Sequence, residues 1–383
     1  MRVAAVILGL VCILVVSLDS FETVILPRRV VRTFRIARLF YRVSWSAWSM
    51  IARSMRPGNR REYYLGFYGP LSLIALLGLW ATIFILSFAL LQWDLLLPVH
   101  APEKELTFVS YLYMSGTTFF TLGLGDIVPL SGFGRFLTVL EAGTGLGFLA
   151  LILGYVPVIY QTFSRREINI SLLDARAGSP PSGSELLIRH SRSSNHEELL
   201  SFLREWERWC AELLESHLSY PVLAYYRSLH ERQSWLAALT TLLDACALIL
   251  VGIEGIPVKP VHFVFALARH AAVDLAQSFG VKPVHGTRPV PEQRTFSSAD
   301  FARLCTDLAA HGIVVRDGAD AEARFKELRG MYEPFVVALA HYFLLQLPEL
   351  HVVPERVDDW QTSAWDHFLA SSPRTLDRTS RGS

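Results

Sequence analysis

Thr121-Leu122-Gly123-Leu124-Gly125-Asp126 is a short run whose residue types suit the coordination of a dehydrated cation. Such an ion needs a ring of oxygens in place of its water shell, and backbone carbonyls supply one only if successive peptides all point inward. That geometry requires φ values which glycine tolerates and most residues do not, hence glycine at 123 and 125. Thr121 can add its hydroxyl as a further ring of ligands at the inner end. Asp126 sits just outside, where a carboxylate braces the run or draws cations to its mouth. A glycine-containing turn between two membrane helices would use the same residues, so the flanking elements decide.

Those flanks are apolar. Tyr63 to Trp93 carries no charge over 31 residues, and Phe136 to Phe163 carries only Glu141. A membrane span needs ~20 predominantly apolar residues, so both qualify. Between them, Phe108 to Phe119 is predicted as a helix of ~18 Å, enough to reach halfway into a bilayer. Aimed at a central cavity, the negative end of its dipole would favour a cation there. Glu141, near the outer end of the second span, is expected to bond to the back of the loop.

From Tyr111 to Pro129 the chain resembles the pore loop of potassium channels, with Tyr111-Leu112-Tyr113-Met114-Ser115 similar to the pore helix. The likeness extends roughly from Phe67 to Phe163. It implies a homotetrameric pore with one loop, one outer helix and one inner helix per subunit. Potassium would be held by Thr121, Leu122, Gly123 and Leu124 as the permeant ion, with no cofactor. Two residues depart from the family pattern. Leu124 stands where Tyr or Phe is usual, similar to the second pore loop of some two-pore-domain potassium channels. It removes an aromatic cuff and leaves a weakly selective cation pore as an alternative. Thr117 stands where many relatives carry an acid behind the filter.

The second span contains Gly143, Gly145, Gly147 and Gly154, followed by Pro157. Small residues let membrane helices approach closely, and glycine and proline are usual causes of bending. Gly145, Gly147 and Pro157 are therefore the candidates for a gating hinge, with packing as the other use of the glycines.

The rest of the chain must place this loop. With 51% hydrophobic and 19% charged residues and a mean hydropathy of +0.32, the composition fits a membrane part joined to a soluble part. Val3 to Leu18 is a third apolar run, interrupted at Asp19 and read as an uncleaved membrane helix rather than a signal peptide. Ten arginines follow between Arg28 and Arg61, with no acid before Glu62. The loop between Trp93 and Phe136 carries Asp94, Glu103, Glu105 and Asp126 against Lys104 and Arg135. The positive-inside rule then places residues 28–62 and the C-terminal half in the cytoplasm and the pore mouth outside, in a multi-pass cell-membrane protein. Arg29, Arg32, Arg35 and Arg38 recur as in a voltage-sensing helix, but a single preceding span cannot shield them. The stretch is read as an amphipathic helix against anionic headgroups, with Phe34, Tyr41, Trp45 and Trp48 at the interface.

Asp174 to Asn195, centred on Gly178-Ser179-Pro180-Pro181-Ser182-Gly183-Ser184, reads as a flexible linker. Helices are expected beyond it from Asn195 to Ser219 and over Gln233–Val251, Pro260–Phe279, Ser298–His311 and Ala319–Gln346. Residues 235–253 are apolar enough to span a membrane, but Asp244 and the short helices that follow favour a buried helix of a soluble bundle. The fold class is thus mainly α, a potassium-channel pore module with an extra N-terminal membrane helix and an all-α cytoplasmic domain. Its parts are residues 1–27, 28–62, 63–164, 165–195 and 196–383. No Gly-x-Gly-x-x-Gly signature is present, and Cys12, Cys210, Cys246 and Cys305 lack metal or redox spacing. There is no nucleophile with a base, no paired carboxylates and no basic cluster for nucleic acid outside the arginine stretch. The sequence reads as a channel, not an enzyme. The third possibility is a non-conducting membrane scaffold whose helical domain binds a partner.

Overall fold

Charge-free apolar stretches can satisfy their backbone in lipid only as helices, and the computed structural model of the chain is built almost wholly from them. It describes residues 2–26, 35–102, 105–191, 196–228, 233–283, 297–316 and 318–350. Arg28, Arg29, Arg32 and Phe34 of the arginine stretch, Glu103, Lys104 and Asn195 lie outside the described residues. The chain divides into two units, one comprising Met1–Phe163 and Ser216–Arg227, the other Ser164–Glu215 and Ser228–Ser383.

In the first unit α1 (Arg2–Val24), α2 (Ile36–Ser54), α3 (Asn59–Gly66) and α4 (Tyr68–Asp94) precede the loop. α1 runs straight through Asp19 and lies along α4. Gly9 allows that approach, since a Cβ there would stand 3.0 Å from the Leu91 side chain and 3.1 Å from the Ser87 carbonyl oxygen. Asp19 is 1% exposed. Its Oδ2 accepts from Trp80 Nε1 on α4 and from the Ala37 amide at the start of α2, both at 3.0 Å. The acid that interrupts the first apolar run therefore caps the next helix and joins three elements. α2 buries Ala37, Trp45, Ser49 and Ala52 and exposes Leu39, Val43, Met50 and Ile51, the last four forming an apolar stripe.

After α4, the strand β1 (Val99–His100) leads to α5 (Phe108–Phe119), and β2 (Val128–Pro129) leads to α6 (Gly132–Ala177). β1 and β2 pair antiparallel, Val99 opposite Pro129, and close the base of the loop between the spans. Pro157 lies inside α6, which continues through it. Ser216–Arg227 also belongs to this unit. Its 3-10 turn Pro221–Tyr225 places Val222 and Leu223 in one core with Leu73, Leu76, Trp80 and Phe84 of α4 and Tyr155 and Ile159 of α6. Tyr225 stacks on Tyr41 (5.5 Å, 11°) and meets Trp45 and Tyr68 edge-on or tilted.

In the second unit, which begins within α6 at Ser164, α7 (Gly183–Ser191), α8 (Glu197–Ser219, up to Glu215), α9 (Trp235–Gly252), α10 (Val258–Ser278), α11 (Ser298–Ala310), α12 (Ala319–Gly330) and α13 (Glu333–Phe343) form an all-α bundle. α9 is its centre, packed against α7, α10, α12 and α13. Leu236, Leu239, Leu243, Cys246 and Leu248 are fully buried on it, although by length and composition alone the helix could cross a membrane. Residues 235–253 are thus a core helix of this unit.

Two expectations are corrected. The Asp174–Asn195 stretch, expected to be a flexible linker, is helical over most of its described residues: α6 extends to Ala177 and α7 runs Gly183–Ser191, while residues 192–195 lie outside the described residues. The glycines and prolines there make a tight turn instead. Gly178 (φ +87°) ends α6 in a conformation that favours glycine, with its amide on the Asp174 carbonyl at 3.0 Å. Gly183 seats α7 directly on α9, since a Cβ there would come within 2.8 Å of the Ala245 nitrogen. The expected single helix over Ala319–Gln346 is two, α12 and α13. Pro334 lacks an amide proton and is tolerated in a first helical turn but not in an interior, so a new helix starts beside it.

Candidate functional site

α5 starts where the Thr107 amide donates to Ser110 Oγ at 3.3 Å, and it ends against α6. Phe119, the last residue of α5, packs between Phe84 of α4 and Phe148 of α6, with ring centroids 5.8 and 5.9 Å away. Gly145 makes this contact possible. A Cβ at that position would stand 1.9 Å from the Phe119 carbonyl oxygen. A Cβ on Gly147, by contrast, would meet open space.

The chain then leaves α5 through Thr117, whose carbonyl accepts from the amides of Leu122 (2.8 Å) and Gly123 (3.4 Å). Its hydroxyl donates to the Met114 carbonyl at 3.0 Å. Beyond it, Thr121, Gly123 and Gly125 have φ of +56°, +56° and +79°. Positive φ at every second residue is the backbone signature of carbonyls turned to one side, and the glycines at 123 and 125 meet that requirement without strain. Thr121 does not; a β-branched residue in this region is an outlier of the kind that gathers at functional sites. Residues 121–126 are exposed on the single chain, Leu122 and Leu124 by 62% and 63%. On α6, Phe133, Phe136, Val139, Leu146, Leu149 and Leu153 are exposed as well.

Beyond the run, Asp126 accepts a hydrogen bond from the Tyr113 hydroxyl of α5. Ile127 is buried with Val99, Tyr111 and Met114, and Tyr111 donates to the Leu97 carbonyl at 2.7 Å. The structure therefore brings residues 121–126, Gly145 and Glu141 to one loop and its backing. Pro157 and Gly147 lie further along α6 and touch none of it among the described contacts.

Glu141 does bond behind the loop. Its carboxyl, fully buried, meets Ser115 Oγ of α5 at one oxygen and Gln92 Nε2 of α4 at the other (2.8 Å). Ser115 and Gln92 were not singled out by their spacing. The available signal was their polarity inside or beside apolar helices, since polar groups in a membrane segment come with partners. Among the described residues no cluster of His, Cys, Asp or Glu could hold a metal.

Residues 72–161 match an ion-channel family, described as "Ion channel", which spans α4, the loop and most of the apolar part of α6. The chain is also similar to an uncharacterized membrane protein, YdjJ, of Bacillus subtilis (strain 168). Identity is 24% over 193 residues, covering 49% of this chain and 55% of the relative. The chain thus spans about half the length of the curated relative it matches. No solved structure matches it. Over residues 72–161 the chain carries an ion-channel domain of the potassium-channel type.

Proposed function

We propose that four copies of this chain form a potassium channel, with the ion passing through the carbonyls of Thr121, Leu122, Gly123, Leu124 and Gly125. The observation that carries the reading is positive φ at alternate residues 121, 123 and 125 on a loop backed by a pore helix. One loop supplies a quarter of a ring, and the exposed Leu122, Leu124, Phe133 and Phe136 are the apolar surface that neighbouring copies would cover. The apolar stripe of α2, flanked by Arg38, Arg42 and Arg53, would lie at a leaflet of anionic headgroups. The arginine excess supports placing that leaflet and the helical second unit on the cytoplasmic side. The inner helix would gate, with Gly147 and Pro157 as hinge positions. On this reading the protein is not an enzyme and needs no cofactor.

The exposed Leu124 favours one alternative, a cation pore that discriminates poorly against sodium. Liposomes holding the purified tetramer, with potassium on one side and sodium on the other, separate the readings. A reversal potential near the potassium equilibrium value supports the selective pore. A value near zero with current supports the weakly selective one, and absence of current from wild type and from Gly123→Ala alike favours a scaffold.

A further inference from the structure

Three helices meet at a buried polar cluster behind the loop, and its protons can be counted. Ser115 Oγ lies 2.8 Å from the Ile85 carbonyl oxygen of α4 and also within hydrogen-bond distance of Glu141 Oε1. A serine hydroxyl has one proton, and a carbonyl oxygen can only accept. If Glu141 were ionised it too could only accept, and one proton would face two acceptors. We infer that Glu141 is held as the neutral acid, donating from Oε1 to Ser115 Oγ, while Ser115 donates to the Ile85 carbonyl. The other carboxyl oxygen accepts from Gln92 Nε2. Each polar atom of the cluster is then satisfied, with α4, α5 and α6 tied by one directional chain.

The surroundings agree with that count. Glu141 and Ser115 are fully buried and Gln92 nearly so within a single chain, before any second copy is considered. The groups bonded to the carboxyl are Gln92 from α4 and Ser115 from α5, neither of them charged. The tyrosines of α5 turn elsewhere, Tyr111 to the Leu97 carbonyl and Tyr113 to Asp126, and on α6 the cation nearest in sequence, Arg135, is exposed with its Nε 3.4 Å from the Pro129 carbonyl oxygen. Asp94, at the end of α4, is half-buried. Among the described residues no cation pairs with Glu141. An ionised carboxylate there would be a buried charge without a counter-ion, which is strongly unfavourable.

Resting on the pore reading, this makes Glu141 a proton-dependent positioning residue for the filter. Ser115 lies one helical turn before Phe119 and two residues before Thr117, whose carbonyl holds the amides of Leu122 and Gly123. Loss of the proton releases α5 from α4 and α6 at the point where the filter is hung. Conduction is therefore lost on the alkaline side and kept at neutral and mildly acid pH.

The test is infrared spectroscopy of the reconstituted full chain, joined to potassium flux from the same liposomes across pH. A protonated-carboxyl band is expected at neutral pH in wild type and absent in Glu141→Gln, which preserves the donor to Ser115 and the acceptor for Gln92. Ser115→Ala should retain the band at a shifted frequency. Wild-type flux should be lost at alkaline pH and Glu141→Gln flux should stay level. Identical bands in wild type and Glu141→Gln at neutral pH would overturn the inference. A band with pH profiles of flux that coincide would overturn the positioning role. A band in a protein without flux at any pH would leave the protonation standing and overturn the pore reading instead.

Discussion

Gly145 of α6 lies directly beneath the Phe119 carbonyl at the end of α5, at a distance that admits hydrogen and nothing larger: a Cβ there would approach the oxygen to 1.9 Å. The neighbour is backbone at a helix end, locked by the Phe84–Phe119–Phe148 junction, and cannot turn aside. Gly145→Ala must therefore push α5 and the 121–126 loop that follows it, at a cost of about 3 kcal/mol, the upper range for overpacking. The expected result is loss of potassium flux with a lowered melting temperature. Gly147→Ala, which meets open space, should fold and assemble as wild type, so that any change in its open probability reports on bending of α6. Equal melting temperatures for the two variants would contradict this account.

At Gly123 the demand is conformational rather than steric, because a Cβ there has open space and only φ, at +56°, opposes it. An alanine held in the left-handed region costs roughly 1–2 kcal/mol. Gly123→Ala should thus leave the chain folded and expressed while its loop relaxes away from the conformation with inward carbonyls. Flux should fall to background with melting temperature nearly unchanged. A folded variant that conducts normally would remove the filter assignment.

How much of this was legible beforehand depends on whether the determinant is local. The glycines at 123 and 125 are tied to backbone conformation at their own positions, and Phe108–Phe119 is a helix by its own composition and cap; both follow from short stretches. Thr121 does not, because nothing in a β-branched residue announces positive φ. The partners of Glu141 lie 26 and 49 residues away, so the acid signalled a buried contact without naming Ser115 or Gln92. Residues 178–184 mislead for a related reason. Glycine, proline and serine make loose chain when they are solvated and close turns when a helix such as α9 lies against them, and composition does not distinguish the two cases.

Asp19 offers a prediction about the N-terminal helix. Its carboxylate serves Trp80 Nε1 and the Ala37 amide, and Arg35 Nε approaches to 4.0 Å. Asp19→Ala removes a helix cap and a buried acceptor for an indole, together about 2 kcal/mol or more. Asp19→Asn, with its amide oxygen in the place of Oδ2, keeps the acceptor for both donors and loses the charge facing Arg35, so it should fall between. The Trp80 emission should shift to the red in Asp19→Ala. An unchanged spectrum would mean that α1 is not anchored there.

Ser216–Arg227 is the stretch through which the chain of the second unit returns to the first. Besides the ring contacts of Tyr225, Arg227 Nη1 lies 3.4 Å from Glu62 Oε2. Burial draws the Arg227 guanidinium down to about 10, with Glu62 opposing that shift, so it remains charged at neutral pH. Tyr225→Ala should cost about 3–5 kcal/mol, as for other fully buried aromatic rings. Limited proteolysis should then cut within 216–227 under conditions where wild type resists. If this stretch carries a signal to α6, flux should change in the same variant. Unchanged protease resistance would show that Tyr225 is dispensable to the docking.

In the second unit the single acid of α9 gives a dependence on pH whose sign can be worked out. Asp244 is 2% exposed; it accepts from the Tyr332 hydroxyl, and Arg329 Nε lies 3.8 Å away. Burial raises its carboxyl above the ordinary 3.8, outweighing the lowering by Arg329 and Tyr332, while Glu333 raises it further. A carboxyl raised on folding binds its proton more tightly in the folded than in the unfolded chain. Its contribution to stability is therefore complete below the ordinary aspartate range and lost as pH rises through the folded value. Asp244→Asn keeps an acceptor for Tyr332 and does not titrate. In melts followed by circular dichroism from about pH 4 to neutrality, wild type should lose stability relative to Asp244→Asn as pH rises. The opposite slope would mean that Arg329 holds Asp244 ionised throughout, and the buried pair rather than the buried acid would then govern the bundle.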